Sequence, residues 1–447
     1  MKKYDNYKDS GVEWLGEMPS HWNLSSIKFL AKIQNGSTPS SSNDEYWNGD
    51  VNWVTTDDLG KLVNKEITET RRTITKLGYE SCGTSLAPID SIVMSTRAPI
   101  GHIGILKIEA STNQGCKTII PLKVNSLFCY YYFLNSKEVL QSLGQGSTFK
   151  ELPTSTLKDF KIVFPSSIEE QFAIASFLDH KTSQIDHLIA KKEQFIKLLE
   201  EERIAVINQA VTKGLDPNVP MKDSGVEWLG EIPVHWEVVK FNLFVSIRHG
   251  HQFMNNDFTD DGIKIIKITQ LHKDGFLDLS KCSFVSSSQL VNYQNILIKE
   301  KDILMCLTGG TIGKIIRVGK VEEPLLQNYR VGHFSSAVPS RITDDFIFWL
   351  MSSESIISQI FFQMRETGQP NIGMDDFGRM RITLPTLIEQ EKIVQHIQKK
   401  TNEISDISLK AKQEIELLKE YKTALISEVV TGKVDVRDEI QSESING

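Results

Sequence analysis

Two stretches of the chain carry apolar residues at alternating three- and four-residue intervals over most of their length. In the segment from Glu169 the seam runs Ile185, Leu188, Lys192, Phe195, Leu199, Glu202 and Val206. In the segment from Ile388 the aligned positions are Ile404, Ile407, Ala411, Glu414, Leu418, Tyr421 and Leu425. Such spacing is a heptad seam with polar interruptions. Strong helix formers surround both seams and neither proline nor glycine breaks them, while Gly214 and Gly432 stand where each run ends. Pro165 and Pro385 precede the runs, where the first turn has no amide bonds to lose. The pattern predicts two long helices of about 40 residues, each about 60 Å long. Docking on another molecule would cover their stripes, but two matching copies in one chain favour an internal antiparallel pair.

Between these helices the period changes. Short β-branched runs, "DSIVMS" from Asp90, "KTIIPL" from Lys117, "IKIIKIT" from Ile263 and "DILMCLT" from Asp302, are separated by Gly, Asn, Asp and Ser clusters and predict strands. "SLFCYYYFLNS" from Ser126 and "DFIFWLMSS" from Asp345 predict apolar helices. Residues 23–164 and 237–384 are therefore expected to be mixed α/β domains, and the fold class α+β. A further repeat precedes each domain: "KDSGVEWLGEMPSHW" at 8–22 returns as "KDSGVEWLGEIPVHW" at 222–236, differing only at Met18 against Ile232 and Ser20 against Val234. A period this long is two copies of a domain-sized unit rather than a solenoid. The expected order is a scaffold segment (1–22), a variable domain (23–164), a long helix (165–214), a linker with the second scaffold copy (215–236), a second variable domain (237–384), a second long helix (385–432) and a tail (433–447), arranged with pseudo-twofold symmetry. The repeated Trp14, Trp22, Trp228 and Trp236 read as scaffold anchors.

Composition narrows the class. A length of 447 residues with 40% hydrophobic content suits two to four globular domains. Five scattered cysteines, Cys82, Cys116, Cys129, Cys282 and Cys306, form no CxxC pair and are expected to be reduced thiols. No apolar run follows the first lysines and none reaches membrane-spanning length, so a soluble, cytoplasmic protein is expected. A net charge of −7 leaves the partner open, and residues 23–164, with fifteen Lys or Arg against thirteen Asp or Glu, balance at only +2. "TGGTIGK", ending at Lys314, fails as a phosphate loop, which would need glycine at Thr308 and Ser or Thr at Ile315. His249 and His251 have no obvious third ligand, so no metal is expected.

"DSGVEWLGEMPSHW", the following "GSTPSSSNDEYWNGDVNWVTTDDL" from Gly36 and the closing "LLKEYKTALISEVVTGKVDV" from Leu417 resemble the specificity subunit of type I restriction-modification enzymes. The resemblance spans essentially the whole chain. It implies two target recognition domains, each reading one half of a split sequence in double-stranded DNA, held on an antiparallel coiled coil that fixes the spacer. It also implies a non-catalytic subunit that binds two modification (methyltransferase) subunits, with restriction subunits adding translocation and cleavage. S-adenosylmethionine, ATP and Mg would belong to those partners, leaving this chain no cofactor of its own. A free-standing DNA-binding regulator and a protein-only scaffold are the rival readings.

Phosphate contacts supply affinity, whereas base identity is read chiefly by Arg, Lys, Asn and Gln in the major groove. On these grounds the candidates in the first domain are Ser37, Thr38, Ser40, Thr55, Thr56, Arg97, Gln114, Lys117, Ser147, Thr148 and Lys150. Tyr46, Trp47 and Trp53 belong to the same region but read equally well as core aromatics. In the second domain the candidates are Arg248, His249, His251, Gln270, Thr308, Lys314, Asn328, Arg330, Gln369 and Asn371.

Overall fold

A computed structural model describes residues 2–97, 99–146, 150–272, 275–364 and 371–439. The predicted helices are present and longer than expected, α1 at Ile168–Lys213 and α2 at Leu387–Val430, 46 and 44 residues. The chain divides within both of them. One unit comprises Met1–Lys192 with Gln413–Gly447, the other Glu193–Lys412, so each contains the beginning of one long helix and the end of the other.

In the first unit Lys422 Nζ lies 2.6 Å from an Asp186 carboxylate oxygen, and Lys192 pairs with Glu414. Partners rise along α1 as they fall along α2, which makes the packing antiparallel. Ile185, Leu425, Ile426 and Val429 share one core there. In the second unit Ile207, Ala210 and Val211 share a core with Ile393 and Ile397. The seam differs from expectation by one position in alternate steps. Along α1, Thr182, Ile185, Leu199 and Ala210 are buried and Ile189 and Ile196 half-buried, whereas Leu188 is 44% and Phe195 45% exposed. Along α2 the buried positions include Thr401, Ile404, Ser408, Ala411 and Ile415, with Ile407 and Tyr421 outside. Small Thr, Ser and Ala side chains thus share the buried face with Ile185, Leu199, Ile404 and Ile415.

Each unit also holds one mixed domain. In the first, β1 (Ala31–Asn35), β2 (Ile92–Ser95), β3 (Ile103–Leu106) and β4 (Cys116–Pro121) form an antiparallel run ordered β1-β4-β2-β3, extended by Glu66–Ile67. In the second, β5 (Val245–His249), β6 (Ile303–Cys306), β7 (Ile315–Arg317) and β8 (Val331–Ser336) repeat it as β5-β8-β6-β7. A parallel pairing recurs too, Ser111–Thr112 beside Trp47–Val54 and Leu325–Gln327 beside Ile263–Ile266. The two helices expected from the apolar runs are found at Ser126–Asn135 and Asp344–Met351.

The repeated scaffold segments do the same work in both units. Tyr7–Asp9 pairs with Glu17–Pro19, and Met221–Asp223 with Glu231–Pro233, in the same register. Each hairpin delivers a His-Trp pair to a carboxylate on the first turn of a long helix. Trp22 Nε1 donates to Glu170 Oε1 at 3.0 Å beside His21 at 3.0 Å, and Trp236 Nε1 donates to Glu389 Oε1 at 3.1 Å beside His235 at 2.7 Å. The same tryptophans close on the ends of the other helices. Gly432 and Gly214 take φ of +76°, and a Cβ there would come within 3.1 Å of Trp22 and 3.2 Å of Trp236. The next residue along each helix fastens the mixed domain. Buried Gln171 accepts from the Asn125 amide at 2.8 Å, and buried Gln390 from the Thr343 amide at 2.9 Å, each at the cap of the domain's apolar helix.

Truncating either fully buried Trp22 or Trp236 to alanine is expected to cost about 3–5 kcal/mol, read by denaturant unfolding, whereas Trp14→Ala, at a half-buried position, costs less. Burial raises the Glu389 pKa, but hydrogen bonds from His235, Trp236 and Thr386 outweigh it and hold the group at about 2. That is below the unfolded value of about 4.3, so its stabilisation is complete above that value and is lost as pH falls towards 2. Glu389→Gln should therefore flatten the loss of stability between those two values; an unchanged acid limb would contradict the assignment.

Candidate DNA-reading surfaces

The candidate residues of the first domain come from distant segments that meet at one end of the β1-β4-β2 run. The chain leaves β1 at Gly36, whose missing side chain lets it pass the turn after Thr112: a Cβ would lie 1.9 Å from the Asn113 carbonyl oxygen. Ser37 donates its amide to the Thr112 carbonyl at 2.9 Å and accepts from Trp53 Nε1 at 3.0 Å. Thr38 hydrogen-bonds Gln114 across the same gap. Trp47 Nε1 donates to the Ser40 carbonyl at 3.2 Å, and the Arg72 guanidinium stacks over Trp47 at 4.0 Å. Trp47 and Trp53 thus support the 36–40 loop; Trp53 is buried, whereas Tyr46 and Trp47 are only half-buried. Thr55 caps the short helix Thr56–Gly60, its side chain accepting from the Asp58 amide, and the Thr56 methyl covers Gly115.

At the end of β2, Thr96 donates its amide to Gly115 at 2.8 Å and accepts from the Leu152 amide at 2.9 Å. The following residue, Arg97, bridges Glu151 through backbone and side chain, Nη2 to Oε2 being 2.9 Å. Beneath them Lys117, 4% exposed, donates to Thr96 Oγ1 at 3.2 Å and lies 3.8 Å from Glu151. Burial lowers its pKa, Arg97 lowers it further, and Glu151 opposes both. Lys150 is exposed beside this cluster, and Ser147 and Thr148 lie outside the described residues.

The second domain builds the same junction. A Cβ on Gly250 would lie 2.0 Å from the Gln327 carbonyl oxygen, and the His251 amide donates to that oxygen at 3.0 Å. Leu307 donates to Arg330 at 3.0 Å and accepts from Ile372 at 3.0 Å, while Thr308 bridges Asn371. His251 is exposed and stands against Phe253 and Tyr293 with ring centroids 4.9 and 5.1 Å away. Arg330 is exposed, its Nε 2.7 Å from the Tyr329 hydroxyl. Asn328 is buried and takes the Arg330 amide on Oδ1.

Other candidates are turned inward. Arg248 spreads its donors over Gln327, Asn295 and Leu297, and burial lowers its pKa against the pull of Asp302. Gln270 is buried and donates to the Lys281 carbonyl; Lys314 donates to the Leu271 carbonyl. His249 stands 3.3 Å from the Tyr329 carbonyl oxygen. Gln369 lies outside the described residues. No cluster of three or more His, Cys, Asp or Glu suited to a metal occurs among the described residues. Glu151 was not singled out from sequence. Its signal was the alignment of "ELP" with "NIG" from Asn371, which puts Glu151 opposite Asn371.

A family model, the type I restriction modification DNA specificity domain, matches residues 19–198 and again 233–417. Together the matches cover most of the chain, and the protein belongs to that family. Among its relatives, the MjaIX specificity subunit of Methanocaldococcus jannaschii is 28% identical over 95% of this chain and 96% of its own length. The MjaVIII specificity subunit of the same organism is 26% identical over 98% and 97%. A solved chain from work on complex assembly and conformational transition of the type I R-M system shares the fold, with a TM-score of 0.72, 11% identity, and coverage of 93% and 99%. The HsdS subunit of Thermoanaerobacter tengcongensis matches with a TM-score of 0.55 and 11% identity over 95% and 100%.

Gly36→Ala and Gly250→Ala, which force a methyl against a backbone carbonyl, are each expected to lower stability by about 1–3 kcal/mol and to loosen the junction of their own domain alone. Limited proteolysis would then cut near the altered junction and leave the other domain's pattern unchanged.

Proposed function

We propose that the chain is the DNA sequence-specificity subunit of a type I restriction-modification complex, working in the cytoplasm, with each mixed domain reading one half of a bipartite target through the junction just described. The observation that carries this reading is the contrast between halves of the duplication. Scaffold residues return at thirteen of fifteen positions, hairpin by hairpin, while the residues at the junctions have changed from one domain to the other. Identical scaffolds suit two copies of one partner, because equivalent surfaces accept equivalent subunits. Divergent junctions suit two different half-sites.

The partners in this proposal are two modification subunits, which methylate adenine using S-adenosylmethionine, and restriction subunits, which use ATP and Mg. Extrusion of the adenine belongs to the modification subunits, since it calls for a closed pocket around the flipped base. The long helices act as a ruler between the half-sites, and exposed apolar residues such as Phe195, Leu198, Leu409 and Leu417 give them surface to offer a partner.

The ruler is testable in the complex with its modification subunits. One heptad added to each helix lengthens it by about 10 Å, which is about three base pairs of duplex at 3.4 Å each. The preferred spacer should grow by about that amount with both half-sites unchanged. A spacer that ignores the insertion, with the complex still assembled, would exclude the helices as its determinant.

A further inference from the structure

The same backbone junction carries opposite chemistry in the two domains. Because Leu152 bonds Thr96 as Ile372 bonds Leu307, Arg97 is equivalent to Thr308 and Glu151 to Asn371. One bridge is a charged pair and the other a neutral one. The strand position beneath differs as well: Lys117, opposite Asn35, matches Gly332, opposite His249. Glu151 serves the fold as the counter-charge of buried Lys117, but fold stability calls for neither Arg97 nor Thr308. The Arg97 and Glu151 side chains are 47% and 39% exposed, where an ion pair contributes little. Thr308 Oγ1 is buried with no hydrogen-bond partner, which detracts from a fold.

We propose that this bridge reads one base pair in each half-site, Arg97–Glu151 recognising G·C and Thr308–Asn371 recognising A·T. The inference rests on the DNA-reading function proposed above and adds the identity of one base pair per half. In the major groove guanine presents O6 and N7, two acceptors that match the Arg97 guanidinium, and cytosine presents an N4 amino group that only an acceptor such as the Glu151 carboxylate can satisfy. The two side chains are already paired, so each keeps a counter-charge as water leaves. Lys117, held by Thr96 behind them, positions Glu151. In the second domain the Asn371 amide offers a donor and an acceptor, matching adenine N7 and N6. Thr308, with its hydroxyl oxygen buried, presents its methyl to the C5-methyl of thymine.

The test maps methylated adenines produced in cells by the complex of the full chain with its modification subunits. The wild-type complex should require G·C at one position of one half-site and A·T at one position of the other. Glu151→Gln, which keeps the shape and removes the charge, should relax only the G·C requirement, on the order of tenfold or more. Asn371→Ala should relax only the A·T requirement. Arg97→Gln reads the same G·C pair should Glu151→Gln not fold. A two-part motif that lacks either base pair, or that survives these substitutions unrelaxed, overturns the inference. So does a uniform loss of methylation at every site with the complex intact, since a phosphate contact or a structural role produces that. A wild-type complex that methylates without a two-part motif would instead sink the function on which the inference rests.

Discussion

A carboxylate on the first turn of each long helix gathers hydrogen bonds from a repeated His-Trp pair, and each unit is arranged around that meeting point. Glu170 is buried, and it takes hydrogen bonds from the Trp22 indole and the Tyr4 hydroxyl, with His21 alongside. Glu389 has Trp236, His235 and Thr386. A buried charge that loses a partner is strongly destabilising. That applies to Glu170; Glu389 is half-exposed, yet the His-Trp pair arrives at the same place in both units, in keeping with scaffold segments that agree at all but two of fifteen positions. The tryptophan that meets the carboxylate also packs on the glycine ending the other long helix, so one side chain ties the start of one helix to the end of the other.

The tie has consequences for the reading surfaces. Gln171 and Gln390 stand one residue beyond the carboxylates and hold the caps of the apolar helices in the mixed domains. Each domain is thereby held to its long helix by hydrogen bonds from a backbone amide to a glutamine side chain, which do not depend on what its junction presents. The junction is built the same way, through backbone bonds among Thr96, Gly115 and Leu152 or among Leu307, Arg330 and Ile372. Side chains there can change without disturbing the frame, and Arg97 against Thr308 is such a change.

Features governed by local periodicity were legible in the sequence: both long helices, the β-branched strands and the two apolar helices lie where pattern placed them. The seam was legible only to within one residue. Leu188 and Ile189 are both apolar and adjacent, as are Phe195 and Ile196, so hydropathy alone does not choose between them; packing does, and Ile189 joins Leu418 against the first unit's core while Leu188 stays exposed. The candidate surface was half legible. Glycine and hydroxyl clusters located the loops, but residue type does not say which way a side chain turns. Arg248 and Gln270 look like readers in sequence and spend their donors on neighbouring carbonyls. Glu151 is not marked by residue type, and its pairing with Arg97 appears only when two segments more than fifty residues apart are brought together.

The most direct measurement is to replace residues 23–164 with the corresponding domain of another specificity subunit, express the hybrid with the same modification subunits and map methyladenine across the host genome. The account predicts a motif in which one half changes to that of the donor while the other half and the assembly of the complex stay as they were. Methylation that ignores the exchange, or a hybrid in which both halves change together, would contradict it.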